Sequence, residues 1–137
     1  MAAIMKFFFL DRDGFDVLHE ESRGEMEQDE SKVDIAVLKI LARPGGSNYS
    51  YDYCLIESKE AGRSWSATED HLSRPCAGTK NASERVYGAV HVGLFVQFFT
   101  THRGILTPMS GRLHLRNDVN AVTTMIERMK RNPLPFL

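Results

Sequence analysis

The stretch VYGAVHVGLFVQFF, residues 86–99, decides the fold. Val86, Val90, Val92, Leu94, Val96 and Phe98 share one parity, and Tyr87, His91, Phe95, Gln97 and Phe99 share the other. Alternation with a period of two marks a strand whose successive side chains point to opposite faces. Dense β-branching and two glycines count against a buried helix. Gly88 and Gly93 predict a bend or bulge within one long strand.

Working outward, GRLHLR at 111–116 alternates again, with Leu113 and Leu115 inward and Arg112, His114 and Arg116 outward. Val119, Val122, Ile126 and Met129 then recur at helical spacing and define one apolar face. Asn117 or Asp118 is placed to cap that helix with a side-chain oxygen. Arg128, Lys130 and Arg131 suit the negative end of its dipole, and Pro133 stops it. The tail, Asn132–Leu137, is apolar and proline-rich, and is expected to dock on its own domain. Its other reading is an extended ligand for a second protein.

Upstream, residues 33–42 and the alternating 49–57 flank a Pro-Gly-Gly-Ser-Asn turn and predict a hairpin. Phe7–Leu10 and Phe15–Leu18 around Asp11-Arg-Asp-Gly14 predict another. Residues 20–32 carry six acids, two bases and one large apolar residue, and read as a mobile acidic loop. Residues 59–83 read as a polar connection anchored by Trp65 and Leu72, with a short helix near 59–72 that Gly62 weakens and Pro75 ends. The expected fold is α+β. One domain over 1–137 holds an antiparallel, curved or partly barrel-like sheet of five to seven strands, covered by a C-terminal amphipathic helix.

The 137 residues are 42% hydrophobic and 26% charged, with a net charge of -1. Such a chain is neither collagen-like nor wholly disordered, and it is long enough to bury a core. Near-neutrality removes a global electrostatic attraction to nucleic acid or membranes. Lys6 interrupts the N-terminal apolar run and no small-residue cleavage site follows, so no secretion signal is read and an intracellular location, cytoplasmic or nuclear, is expected. Cys54 and Cys76 are the only cysteines, lack CxxC spacing, and are expected to stay reduced. Asn48-Tyr-Ser50 and Asn81-Ala-Ser83 match the glycosylation pattern by chance on this reading.

FFFLDRDG at 7–14 resembles the first motif of haloacid-dehalogenase-type phosphatases. That resemblance implies Asp11 as nucleophile, Asp13 as general acid and Mg²⁺ neutralising phosphate charge. It covers about eight residues. Phe15 stands where the family has threonine or valine, and the family's later Ser/Thr, Lys and acidic pair have no counterpart downstream. Asp and Gly are favoured in tight turns, and a turn is the reading adopted. His19, His71, His91, His102 and His114 show no HxxxH pair, so no metal and no cofactor is expected.

Charge is unevenly spread: residues 101–137 hold six bases and two acids, while 11–32 hold nine acids and three bases. The expected function is therefore a non-enzymatic protein-interaction or regulatory domain, with Arg103, Arg112, His114 and Arg116 as a basic strand face. The partner is another protein. Nucleic acid is disfavoured, since aromatic interleaving on that face is lacking, and no membrane is expected. An alternative is a small ligand-binding domain or cofactor-free isomerase or cyclase, with an apolar cavity holding Tyr51, Tyr53, Gln97 and His91 as acid/base. A second is a structural subunit of an oligomer, homo-oligomer included, with Tyr49, Phe95 and Phe99 as interface.

Overall fold

A computed structural model describes residues 1–22, 32–42, 45–46 and 48–137. The acidic stretch expected to be mobile lies largely outside them. The described residues form α1 (Ala2–Phe8), β1 (Phe15–Ser22), β2 (Lys32–Ala42), β3 (Asn48–Lys59), α2 (Trp65–Ala77), β4 (Arg85–Val92), β5 (Phe95–His102), β6 (Ile105–Pro108), β7 (Leu113–His114) and α3 (Val119–Arg131). The fold is α+β. One sheet runs in the order β1-β2-β3-β4-β5-β6, with β7 beside β5. It is open rather than barrel-like, with β1 and β6 ending the path, and antiparallel except between β3 and β4. Parallel neighbours need a crossover, and α2 supplies it.

The sheet separates two apolar clusters. One face packs Met5, Phe9, Phe15, Tyr53, Ile56 and Phe98 against Ile126 and Met129 of α3. The other packs Leu55, Val86, Val90 and Phe99 under Leu72 and Cys76 of α2. β3 faces both layers, and all of Tyr51–Glu57 is buried. Sequence alternation alone misplaces part of β3. The β2–β3 register shifts between Val37 and Leu38, with Val37 opposite Cys54 and Leu38 opposite Asp52. Tyr53 is the extra residue of this bulge, so Tyr53 and Cys54 both belong to the α3 layer and Leu55 moves to the α2 layer. The amide of Asn81 stands in for a missing strand at this point. Its Oδ1 accepts from the Asp52 N–H, and its Nδ2 donates to the Asp52 and Arg85 carbonyls, each at 2.8 Å. A buried side chain so committed is no free glycan acceptor.

Three expectations are corrected. Residues 86–99 are two strands: Gly93, with φ 62, occupies the first central position of a two-residue hairpin loop, and Leu94 is the second. Val86, Val90 and Val92 therefore share the α2 layer with Phe99, while Val96 and Phe98 belong to the α3 layer. Gly88 instead gives room: Leu72 Cδ2 would lie 3.1 Å from a Cβ there. The first apolar run is helical, because Met5 and Phe9 are one turn apart and bury together while the intervening Phe7 stays 74% exposed. Asp11–Asp13 form a 3₁₀ turn ending at Gly14 in the left-handed region, so the Asp-Arg-Asp-Gly turn exists but joins a helix to a strand. Pro75 lies inside the last turn of α2, where only one hydrogen bond is forfeited, and the helix continues to Ala77.

α3 occupies its expected span, with Val122, Ile126 and Met129 buried. Its last carbonyls, which have no partner within a helix, are taken by the sheet: the Tyr53 hydroxyl donates to Met129 O at 2.7 Å and lies 3.2 Å from Lys130 O. Burial, with Tyr87, Tyr51 and Cys54 adding to it, pushes the Tyr53 phenol well above its ordinary value and keeps it a donor. Asp118 sits at the N-cap, yet its carboxylate accepts from His114 N rather than from the helix. Replacing Tyr53 by Phe keeps the ring and orphans these carbonyls. Urea denaturation of Tyr53→Phe is expected to show a loss of ~1–3 kcal/mol with an unchanged m-value.

Candidate functional site

The four residues expected to form one basic face are split. Arg103 is in the β5–β6 turn with φ 53, followed by Gly104 with φ 79. Its Nε lies 2.7 Å from Glu84 Oε2, and its N–H donates to the Glu84 carbonyl. β5 carries Phe95 beside His114 at its other end. The seven steps from Phe95 to His102, at ~3.3 Å each, separate the two ends by about 23 Å. Arg103 is thus a turn residue remote from the rest.

Arg112 and His114 come together beside aromatic groups, but β7 spans only Leu113–His114, so Arg116 lies in the turn beyond it and no basic strand face forms. The Arg112 guanidinium lies 4.3 Å over the Trp65 ring. His114 meets Phe95 edge-on, with ring centroids 5.1 Å apart. The His114 Nδ1 accepts from the backbone N–H groups of Arg116 and Asn117, each at 3.1 Å, and this fixes the ring. Leu115 N donates to Leu94 O and ties this segment to the β4–β5 turn. Phe95 and Leu94 stay 44% and 46% exposed.

Between these groups runs a groove of about 380 Å³, lined by Ala61, Gly62, Arg63, Trp65, Val92, Gly93, Leu94 and Phe95. Trp65 opens α2 directly after Ser64, whose hydroxyl accepts from Ala67 N and caps the helix. The cap therefore fixes the tryptophan at the groove wall. Arg63 is 3.4 Å from Glu60, an exposed pair that solvent weakens. Trp65, expected as an apolar anchor, does pack half-buried against the α2-side cluster but also serves the surface under Arg112, and Leu94, expected in the core, is exposed. A lone tryptophan in an otherwise polar helix was the available signal for the first. Leu94 was hidden by a parity count that ran through the turn.

The residues of the cavity reading do not converge. Tyr51, Tyr53 and His91 belong to the α3 side, whereas Gln97 pairs with Val90 on the α2 side and donates to Ser110 O. His91 Nδ1 lies 2.5 Å from Ser58 Oγ. Burial first, then the Met1 amino group, push the His91 pKa down, against a bond to the Gly93 backbone. Of the proposed interface aromatics, only Phe95 is exposed; Phe99 is buried and Tyr49 packs near Phe136. Asp11 and Asp13 are exposed on one turn, and among the described residues no group of three or more His, Cys, Asp and Glu side chains is placed to hold a metal. The phosphatase arrangement, with its Mg²⁺, does not fit. Among the described residues no helix is long and apolar enough to cross a membrane. Comparison with protein-family models, curated proteins and solved structures finds no match to this chain.

Beside the groove, under α2, lies a carboxyl pair. Lys59 Nζ is 3.6 Å from both Asp34 and Glu57. Asp34 also accepts from Ser58 N at 2.8 Å. Burial and then the Asp34 carboxylate push Glu57 up to about 7, outweighing Lys59. A carboxyl whose folded pKa is raised stabilises fully below its unfolded value and loses that contribution as pH rises through the folded one. Melting temperature should therefore fall by several degrees between pH 4.5 and 7 through this group. Glu57→Gln, measured by thermal denaturation across that range, is expected to remove this fall and to melt higher than wild type above pH 7.

Proposed function

We propose that this chain is a non-enzymatic intracellular interaction or regulatory domain whose groove at the start of α2 takes a short acidic and apolar segment of another protein. The observation that carries this is the co-location of Trp65 and Phe95 with Arg112 and His114, with Leu94 bonded to the same segment through Leu115. Tryptophan, arginine and other aromatics dominate the binding energy of protein interfaces, where a rigid ring supplies area and a guanidinium supplies direction. Stacking on Trp65 holds the Arg112 guanidinium plane while leaving its edge free to meet a carboxylate in bidentate fashion. Two cysteines buried as free thiols suit a reducing compartment.

Charge gives the reading its specificity. Arg112 and Arg116 are exposed, and Asp118 directs its carboxylate to a backbone N–H. An acidic segment gains here and a basic one is repelled. Arrays of 12-residue peptides pairing Asp and Glu with Leu, Phe and Trp should bind the protein, and arrays pairing Lys and Arg with the same apolar residues should not. The double substitution Arg112→Glu, Arg116→Glu is expected to weaken acidic peptides by about tenfold or more while leaving the melting temperature nearly unchanged. Equal binding of both arrays, or binding indifferent to the double substitution, would refute the reading. Concentration-dependent self-association abolished by Phe95→Ala would assign the groove to a second copy instead.

A further inference from the structure

The tail folds back on a row of tyrosines at the opposite end of β3, on the other face of the sheet. Phe136 stacks on Tyr51, with centroids 4.1 Å apart and an interplanar angle of 14°, and Tyr49 lies 6.0 Å away. Three polar bonds hold the backbone. The Tyr87 hydroxyl donates to Asn132 O, the Ser83 hydroxyl donates to Pro135 O, and Ser83 N donates to Phe136 O at 3.2 Å. Leu134 and Phe136 are partly buried, while Pro133 and Pro135 are exposed.

This is the chemistry by which extended proline-rich segments are recognised. Aromatic faces take the apolar side chains, and hydroxyl donors take carbonyls that no internal hydrogen bond uses. Pro133 and Pro135 fix two φ angles in advance, so little conformational entropy is lost on docking. The tail ends in residues outside any helix or strand, and Leu137 is 84% exposed. Asn132 is the cap of α3, but the two Ser83 bonds and the Tyr51 stack fall on Pro135 and Phe136, beyond the helix. We infer that the surface formed by Tyr49, Tyr51 and Ser83 is a binding site for a proline–apolar–proline–aromatic segment of another protein, and that the chain's own tail occupies it as an intramolecular competitor.

A tethered competitor acts at an effective concentration on the order of millimolar, so an incoming segment meets a weakened apparent affinity until the tail leaves. Fluorescein-labelled peptides NPLPFL and GPAPFG are titrated by anisotropy into three proteins: the full chain, a chain lacking residues 133–137, and full-length Phe136→Ala. Saturable binding of both peptides to the truncated chain is expected, at least tenfold tighter than to the full chain. Phe136→Ala should move the full chain toward the truncated affinity, and the peptide NPLPAL should bind tenfold more weakly than NPLPFL. Circular dichroism checks that the truncated chain folds; where it does not, Phe136→Ala carries the comparison. Equal affinity of the wild-type and tail-weakened chains, absence of binding to the folded variants, or binding of NPLPFL alone would overturn the inference. So would sedimentation showing a dimer that Phe136→Ala dissolves, because the occupant would then be a second copy's tail.

Discussion

The hydroxyl of Tyr53 closes the end of α3 from the residue at which β3 bulges. Without the extra residue, Tyr53 and Cys54 would point to opposite faces. With it, both serve the α3 layer, and Leu55 is free to seat under α2. One irregularity in one strand thus sets the alignment of both helical layers on the sheet. On the strand's other edge, where pairing with β4 has not yet begun, the Asn81 amide repairs the ladder by bridging Asp52 to Arg85 with donors and an acceptor in the geometry of a peptide group. Loop 78–84 is held in place by that repair. It presents Ser83 to the tail in turn.

Much of the architecture was legible because its signals were periodic and local. Val122, Ile126 and Met129 on one face of α3, the pairing of β2 with β3, and the inward Leu113 and Leu115 all follow from spacing. What failed was any inference that needed counting across an irregularity. Parity carried through Gly93 placed Leu94 in the core, whereas the glycine's positive φ reverses the chain there. Parity carried through Tyr53 placed Leu55 with the tyrosines, and the bulge moved it. The N-terminal helix failed for a different reason. Phe7-Phe-Phe-Leu reads as a strand on β-propensity, but Ala2, Ala3, Met5 and Lys6 favour a helix, and the Met5–Phe9 pair finds a buried site only at helical spacing. Tertiary burial outweighed local preference.

The candidate groove was half legible for similar reasons. Arg112, His114 and Arg116 alternate within six residues, so their shared neighbourhood follows from sequence. Trp65 and Phe95 arrive from segments 47 or more residues and 17 or more residues away, respectively, and no local rule joins them. Arg103 illustrates the converse. It is close in sequence to Phe95, but a strand carries the chain away at ~3.3 Å per residue, and the tight turn then commits its guanidinium to Glu84. Net charge over a segment therefore overstated a basic patch that the fold divides.

The two proposed recognition surfaces differ in address as well as in chemistry. The groove lies at the Lys59 end of β3 on the α2 face, and the tyrosine row lies at the Tyr49 end on the α3 face. From Tyr51 to Lys59 is eight residues, about 26 Å of strand. Since β3 is buried on both faces between them, neither surface can be reached from the other by a side-chain rearrangement; coupling would need a movement of the strand itself, whose core is packed against both helical layers. With a rigid central strand between unlike surfaces, binding at the two proposed sites is expected to be independent. That independence suits a domain that brings an acidic segment and a proline-rich one together without having to change shape.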